Sequence, residues 1–162
     1  MNAETRGIRR IEVLLAEYEQ NHNNPTNKAI HWIAVPVIAW SVIAILWVLP
    51  TPGFFPANAY VNWATIACAL AVVYYVTLSI PLAIGMAAFS AIAIAIIRWI
   101  ETNVSINLEW IAGTLFVAAW VFQFAGHEVE GKKPSFFKDL QFLLIGPAWL
   151  MHFLFRRLGI PY

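Results

Sequence analysis

The chain contains four histidines, His22, His31, His127 and His152. Imidazole is the commonest transition-metal side-chain ligand, and a nitrogen or nitrogen/oxygen donor set suits iron or zinc. These residues are far apart in sequence, so a shared ion requires the fold to gather them. Glu128 and Glu130 follow His127 directly. If the helix carrying His127 continues, Glu130 falls on the same face at i+3. A carboxylate there could ligate, orient a histidine from behind, or move a proton. Its plainer reading is a solvated charge beside Lys132 and Lys133. Tyr18, four residues before His22, is placed to cover such a site. Asn21, Asn23, Asn24 and Asn27 give a turn hydrogen-bonding capacity, and Asn27 is placed to hold His31 or His22. Gln123 lies inside an apolar stretch and needs a polar partner there. The single cysteine, Cys68, excludes an intramolecular disulfide and a cysteine-rich metal site. There is no glycine-rich phosphate loop, no HExxH, no GxSxG and no CxxC.

The elements that must position these groups are apolar. Hydrophobic residues make up 60% of the chain and charged residues 12%, against about 45–50% and 25% in ordinary globular proteins. A soluble fold of this size could not hide that surface, whereas a bilayer removes the need. The expected fold is all-α: a single integral membrane domain over 1–162, with four spans and an N-terminal amphipathic helix. The net charge of +1 gives no basic footprint for a nucleic-acid partner. Met1 to Asn24 is polar, with no leader-like apolar core.

Residues 4–20 read as the amphipathic helix, with Ile8, Ile11, Leu14, Leu15 and Tyr18 at helical spacing. It would lie among headgroups or pack on helix ends. Residues 21–27 form a polar turn centred on Pro25, with Thr26 or Asn27 capping the next helix. The first span is expected near 30–49. Residues 61–97 are nearly all apolar and would form a helix of about 55 Å, too long for a hydrocarbon core of roughly 30 Å. The chain must fold back near Ser79-Ile80-Pro81, giving spans near 61–78 and 82–99. Gly85, Ala87, Ala88 and Ser90 make the third span rich in small residues, which permits close helix contact. A fourth span is expected near 108–126. The last apolar stretch, 140–155, is interrupted by Gly146-Pro147 and is expected to be kinked, re-entrant or interfacial.

Arg6, Arg9, Arg10 and Lys28 precede the first span, and Lys132, Lys133 and Lys138 follow the fourth. Positive charge marks the cytoplasmic side. Four spans then bring His22, His31 and His127 to one membrane face. The alternative is that these histidines finish helix ends or bind headgroups. His152 is distant if the last segment spans and is a possible fourth ligand if it re-enters. Trp32, Trp47, Trp63, Trp99 and Trp110 fall near span ends, as interfacial anchors do. Trp40, Trp120 and Trp149 lie deeper and read as packing by default, with the lining of a lipid-binding groove as the alternative.

Two blocks carry a resemblance: YEQNHNNPTNKAIHWIAVP at 18–36 and QFAGHEVEGKKPSFFKDLQFLLIGP at 123–147. Together they resemble the Mpo1-like family. The middle spans match it only in hydrophobicity. The resemblance implies an iron(II)-dependent dioxygenase that shortens 2-hydroxy fatty acids by one carbon, with O2 and membrane lipid as its other partners. It implies that His22, His31 and His127 bind Fe(2+), that Glu130 is the catalytic acidic position, and that Asn27 is the motif asparagine at the substrate. Lys28, Lys132 or Lys133 would attract the substrate carboxylate. Short loops suggest a bacterial-type member, hence the inner membrane (the endoplasmic reticulum if eukaryotic), with the site on the cytoplasmic face. Only the resemblance favours iron over zinc. The competing function is a non-catalytic lipid-binding or scaffold protein.

Overall fold

The computed structural model describes residues 9–20, 22–56, 60–131 and 143–161. Among them are six helices: α1 Arg10–Glu19, α2 Pro25–Val48, α3 Trp63–Val76, α4 Ile80–Asn103, α5 Leu108–Glu130 and α6 Ile145–Leu158. The chain is all-α, as composition required. Helices α2, α4 and α5 are long and apolar enough to cross a membrane. α3 occupies the second expected span but is a shorter apolar helix of 14 residues, about 21 Å long. Large apolar side chains on the outer faces are exposed, including Ile33 (72%) and Phe122 (62%). Such a surface suits lipid rather than water.

Helix boundaries follow local chemistry. α2 begins at Pro25, earlier than expected, and its cap is Asn24 rather than Thr26 or Asn27. The Asn24 side chain accepts from the Thr26 N–H at 2.8 Å, and proline fits the first turn because no intrahelical bond needs its missing N–H. The fold-back lies where expected: α3 ends at Val76, and Ser79 caps α4 by accepting from the Leu82 N–H. α5 runs one turn beyond its expected end, to Glu130, and stops where Gly131 adopts a left-handed φ of 71°. Gly146-Pro147 does not interrupt the last helix. It lies in the first turn of α6, where proline is tolerated.

α2 packs most extensively along α5, and α3 packs against α4. Ala34, Ile38 and Ala119 form the core of the first pair. α1 lies against α6, and Ile11, Leu15 and Tyr18 join Trp149 and Leu150 in a buried cluster. Thus the amphipathic helix packs on helix ends. The small-residue face of α4 is used at Gly85, where a Cβ would stand 2.9 Å from Phe155 Cζ and 3.0 Å from Met151 Sδ of α6.

Candidate metal centre

His22 stands between α1 and α2, His31 two turns into α2, and His127 in the last turn of α5. The close packing of α2 on α5 therefore sets two of the three, and the turn after α1 sets the other. All three are buried, His31 completely. Their candidate ligand atoms lie within 4.8 Å of one another. The His22 and His31 ring centroids are 4.3 Å apart, and those of His31 and His127 are 5.2 Å apart. The expected convergence on one face is present.

Hydrogen bonds fix two tautomers. A backbone carbonyl only accepts, so His22 Nδ1–H donates to Tyr18 O at 2.7 Å. In the same way His31 Nδ1–H donates to Asn27 O at 2.9 Å. Each ring then carries its lone pair on Nε2. Backbone carbonyls hold metal-ligating imidazoles in this way. His31 Nε2 is buried without a hydrogen-bond partner among the described residues. A buried lone pair in that state is costly, and a cation at the centre of the three rings would satisfy it. The donor set thus fits a metal ion such as iron or zinc.

Glu130 stands at the rim of this group. Its Oε1 accepts from the Asn23 N–H at 2.8 Å, and its Oε2 accepts from the Asn24 N–H at 2.9 Å and from Asn27 Nδ2 at 3.0 Å. One carboxylate at the end of α5 thereby clamps the turn that carries His22. Asn27 is fully buried and links Glu130 through its amide to His31 through its carbonyl. Lys28 pairs with Glu19 at 3.7 Å, at the surface. Lys132 and Lys133 lie outside the described residues. His152 is not a member of the three-histidine group; its ring meets Phe153 edge-on at 5.3 Å.

Two contributions, those of Trp149 and Gly126, were not singled out from the sequence. Trp149 is 1% exposed, with its ring centroid 5.5 Å from that of His22 and 5.4 Å from that of Tyr18. It roofs the site together with Tyr18, whose ring stacks on His22 at 4.3 Å. Tyr18 was expected to cover the site, but Trp149 was read as packing. Gly126 faces Asn27: a Cβ there would collide with Asn27 Oδ1. A glycine beside a histidine inside an apolar helix was the available signal, since glycine weakens a helix unless space demands it. Asn24, one of the expected turn asparagines, acts through its cap. Gln123, one turn before His127, is buried with Oε1 unpartnered among the described residues. It lines a chamber of about 20 Å³ with Tyr18 and Trp120, room for one water.

Comparison with known proteins places this geometry. No solved structure matches the chain. The 2-hydroxy-palmitic acid dioxygenase MPO1 of Saccharomyces cerevisiae is 28% identical over 155 residues, covering 93% of this chain and 83% of the yeast protein. The family described as 2-hydroxy-palmitic acid dioxygenase Mpo1-like matches residues 8–158, a stretch that contains all six helices and all three clustered histidines. The chain belongs to the Mpo1-like family.

Proposed function

We propose that this protein is an iron(II)-dependent dioxygenase that shortens 2-hydroxy fatty acids by one carbon, at the cytoplasmic face of a bacterial inner membrane. The observation that carries the reading is the buried three-imidazole group in a chain of this family. Bound iron(II) supplies the oxygen chemistry. C2 of the substrate becomes the new carboxyl carbon while C1 leaves as carbon dioxide. One O2 balances the change and one water is released, so no outside reductant enters.

The chain's own groups hold, orient and exclude. His22, His31 and His127 are the metal ligands, the first two presenting Nε2 because carbonyls hold their Nδ1–H groups. Neutral imidazoles leave the centre cationic, which favours an anionic substrate head. Tyr18 and Trp149 cover the His22 ring and keep water from that side. Glu130 and Asn27 act as positioning residues: their hydrogen bonds fix the turn and the His31 ring. Lys28, in the first turn of α2, draws the carboxylate toward the site.

The test uses purified protein loaded with ferrous iron without oxygen, then given O2 and 2-hydroxypalmitate. The expected result is oxygen-dependent formation of the acid one carbon shorter, abolished by a chelator and restored by iron. Turnover that persists after complete metal removal refutes the reading. So does purified protein that takes up no stoichiometric metal.

A further inference from the structure

We propose that the substrate's acyl tail lies inside the helix bundle, in the apolar cavity between α2, α3 and α4, rather than on the lipid-facing groove between α2 and α5. The proposal rests on the dioxygenase reading for its ligand and on three observations for its place.

The first is the cavity itself, about 280 Å³, walled by Ala39 and Ile43 of α2, Ala67 and Ala71 of α3, and Met86 and Ser90 of α4. Its lining is almost wholly apolar, and the alanines leave it wide. Along α3 it reaches from Tyr75 to Ala67, about 12 Å of helix. Packed interiors rarely leave such a volume empty, because the lining atoms forfeit their dispersion contacts.

The second is continuity with the metal centre. The cavity shares Leu143 and Pro147 with the small chamber that Tyr18 and Gln123 line. Tyr18 stacks on His22, and Gln123 precedes His127 by one turn of α5. Leu143 and Pro147 form the wall common to chamber and cavity, and they must move aside to admit the first methylenes of a chain whose head sits at the imidazoles, since the chamber alone holds one water. Tyr75 braces that wall, its hydroxyl donating to Leu144 O at 2.5 Å.

The third is what the competing groove lacks. The groove between α2 and α5 is larger, about 470 Å³, yet it shares no lining residue with the chamber. Its walls include Ile33 and Phe122, both mostly exposed, so it opens toward the surface that suits lipid. The lining of the cavity between α2, α3 and α4 runs as far as Leu46 and Ala67, remote from Tyr75 and Leu144. Bulk added along this lining would therefore obstruct a long tail before a short one.

Two readings test this. A 2-hydroxy fatty acid with a diazirine at its methyl end is photolysed on the iron-loaded protein and the labelled peptide sequenced. Label on the α3 or α4 residues of the cavity is expected; label on the outer faces of α2 and α5 overturns the proposal. Separately, Ala71→Leu should lower turnover of long relative to short 2-hydroxy acids by about tenfold, while Ala118→Leu in the outer groove leaves that ratio unchanged. The opposite pattern, or an unchanged ratio in both, overturns it. Ala67→Leu repeats the test if Ala71→Leu does not fold. Label in the cavity of a protein that consumes no 2-hydroxy acid would sink the dioxygenase reading and leave the cavity assignment standing. Turnover with label on α5 would do the reverse.

Discussion

At one end of α2, Asn27 and His31 are completely buried, and their polar atoms meet Glu130 and each other. At its other end, Trp47 Nε1 donates to Glu101 Oε1 at 3.0 Å, Glu101 pairs with Arg98 at 2.9 Å, and the Arg98 guanidinium stands 5.8 Å from the centre of the Tyr60 ring. Both are polar networks at the edge of an apolar body. They differ in solvent access: the Arg98 and Glu101 side chains are partly exposed, so water or headgroups can replace either partner. Around His31 no replacement is at hand. The Arg98 end is an anchor, built from exchangeable contacts. The His31 end is a preorganised pocket, where each group is held by another.

Removing His31 should separate the two ends most sharply. His31→Ala is expected to abolish stoichiometric metal uptake and reduce turnover by more than about 100-fold, as read by elemental analysis and product formation. Bound metal should also raise the melting temperature of the native protein and not that of the variant.

Glycines on the same helix give the next contrast. Gly126→Ala drives a Cβ into Asn27 Oδ1 and should destabilise the protein by about 1–3 kcal/mol while lowering metal content. Gly113→Ala, nearer the other end of α5, meets nothing within 4 Å. It should be neutral or stabilising by up to about 1 kcal/mol. Denaturation in detergent measures both, and equal losses at the two positions would erase the distinction between the ends.

The two carboxylates come next. Glu130→Gln keeps the shape but removes the charge that accepts three hydrogen bonds, and should weaken metal affinity by about tenfold. Glu101→Gln should leave metal affinity unchanged and cost no more than about 1 kcal/mol. The smallest effect is a pH dependence. Burial, and then Arg156, hold the His152 imidazole below its ordinary pKa of 6.5, with Glu19 opposing. Because the unfolded chain takes up this proton first, the contribution to stability is present above about pH 6.5. It is lost as pH falls through the lowered folded value. His152→Gln should therefore flatten the melting temperature between pH 7 and pH 5.

Much of this was open to reading from the residues alone. Hydropathy and the length of residues 61–97 dictated a fold-back, and the alternation of helices then put His22, His31 and His127 at one face. Tyr18 was placed over the site by spacing. What escaped notice depends on contacts rather than on period. Trp149 looked like any deep aromatic, because a hydropathy pattern does not say which helix end it roofs. Glu130 was read as ligand, proton carrier or solvated charge, and the hydrogen bonds it makes to Asn23 and Asn24 come from a segment more than one hundred residues away. Gly146-Pro147 was read as an interruption since proline so often ends a helix, yet the same chemistry starts one.

The clamp between Asn27 and Glu130 joins residues 103 positions apart. On a ribosome, that distance is time. The turn and α2 are made first, and their imidazoles stay without the third until α5 is complete and seated beside α2. A nascent or truncated chain thus lacks the full donor set, and an ion that needs all three imidazoles is taken up only by a finished polypeptide.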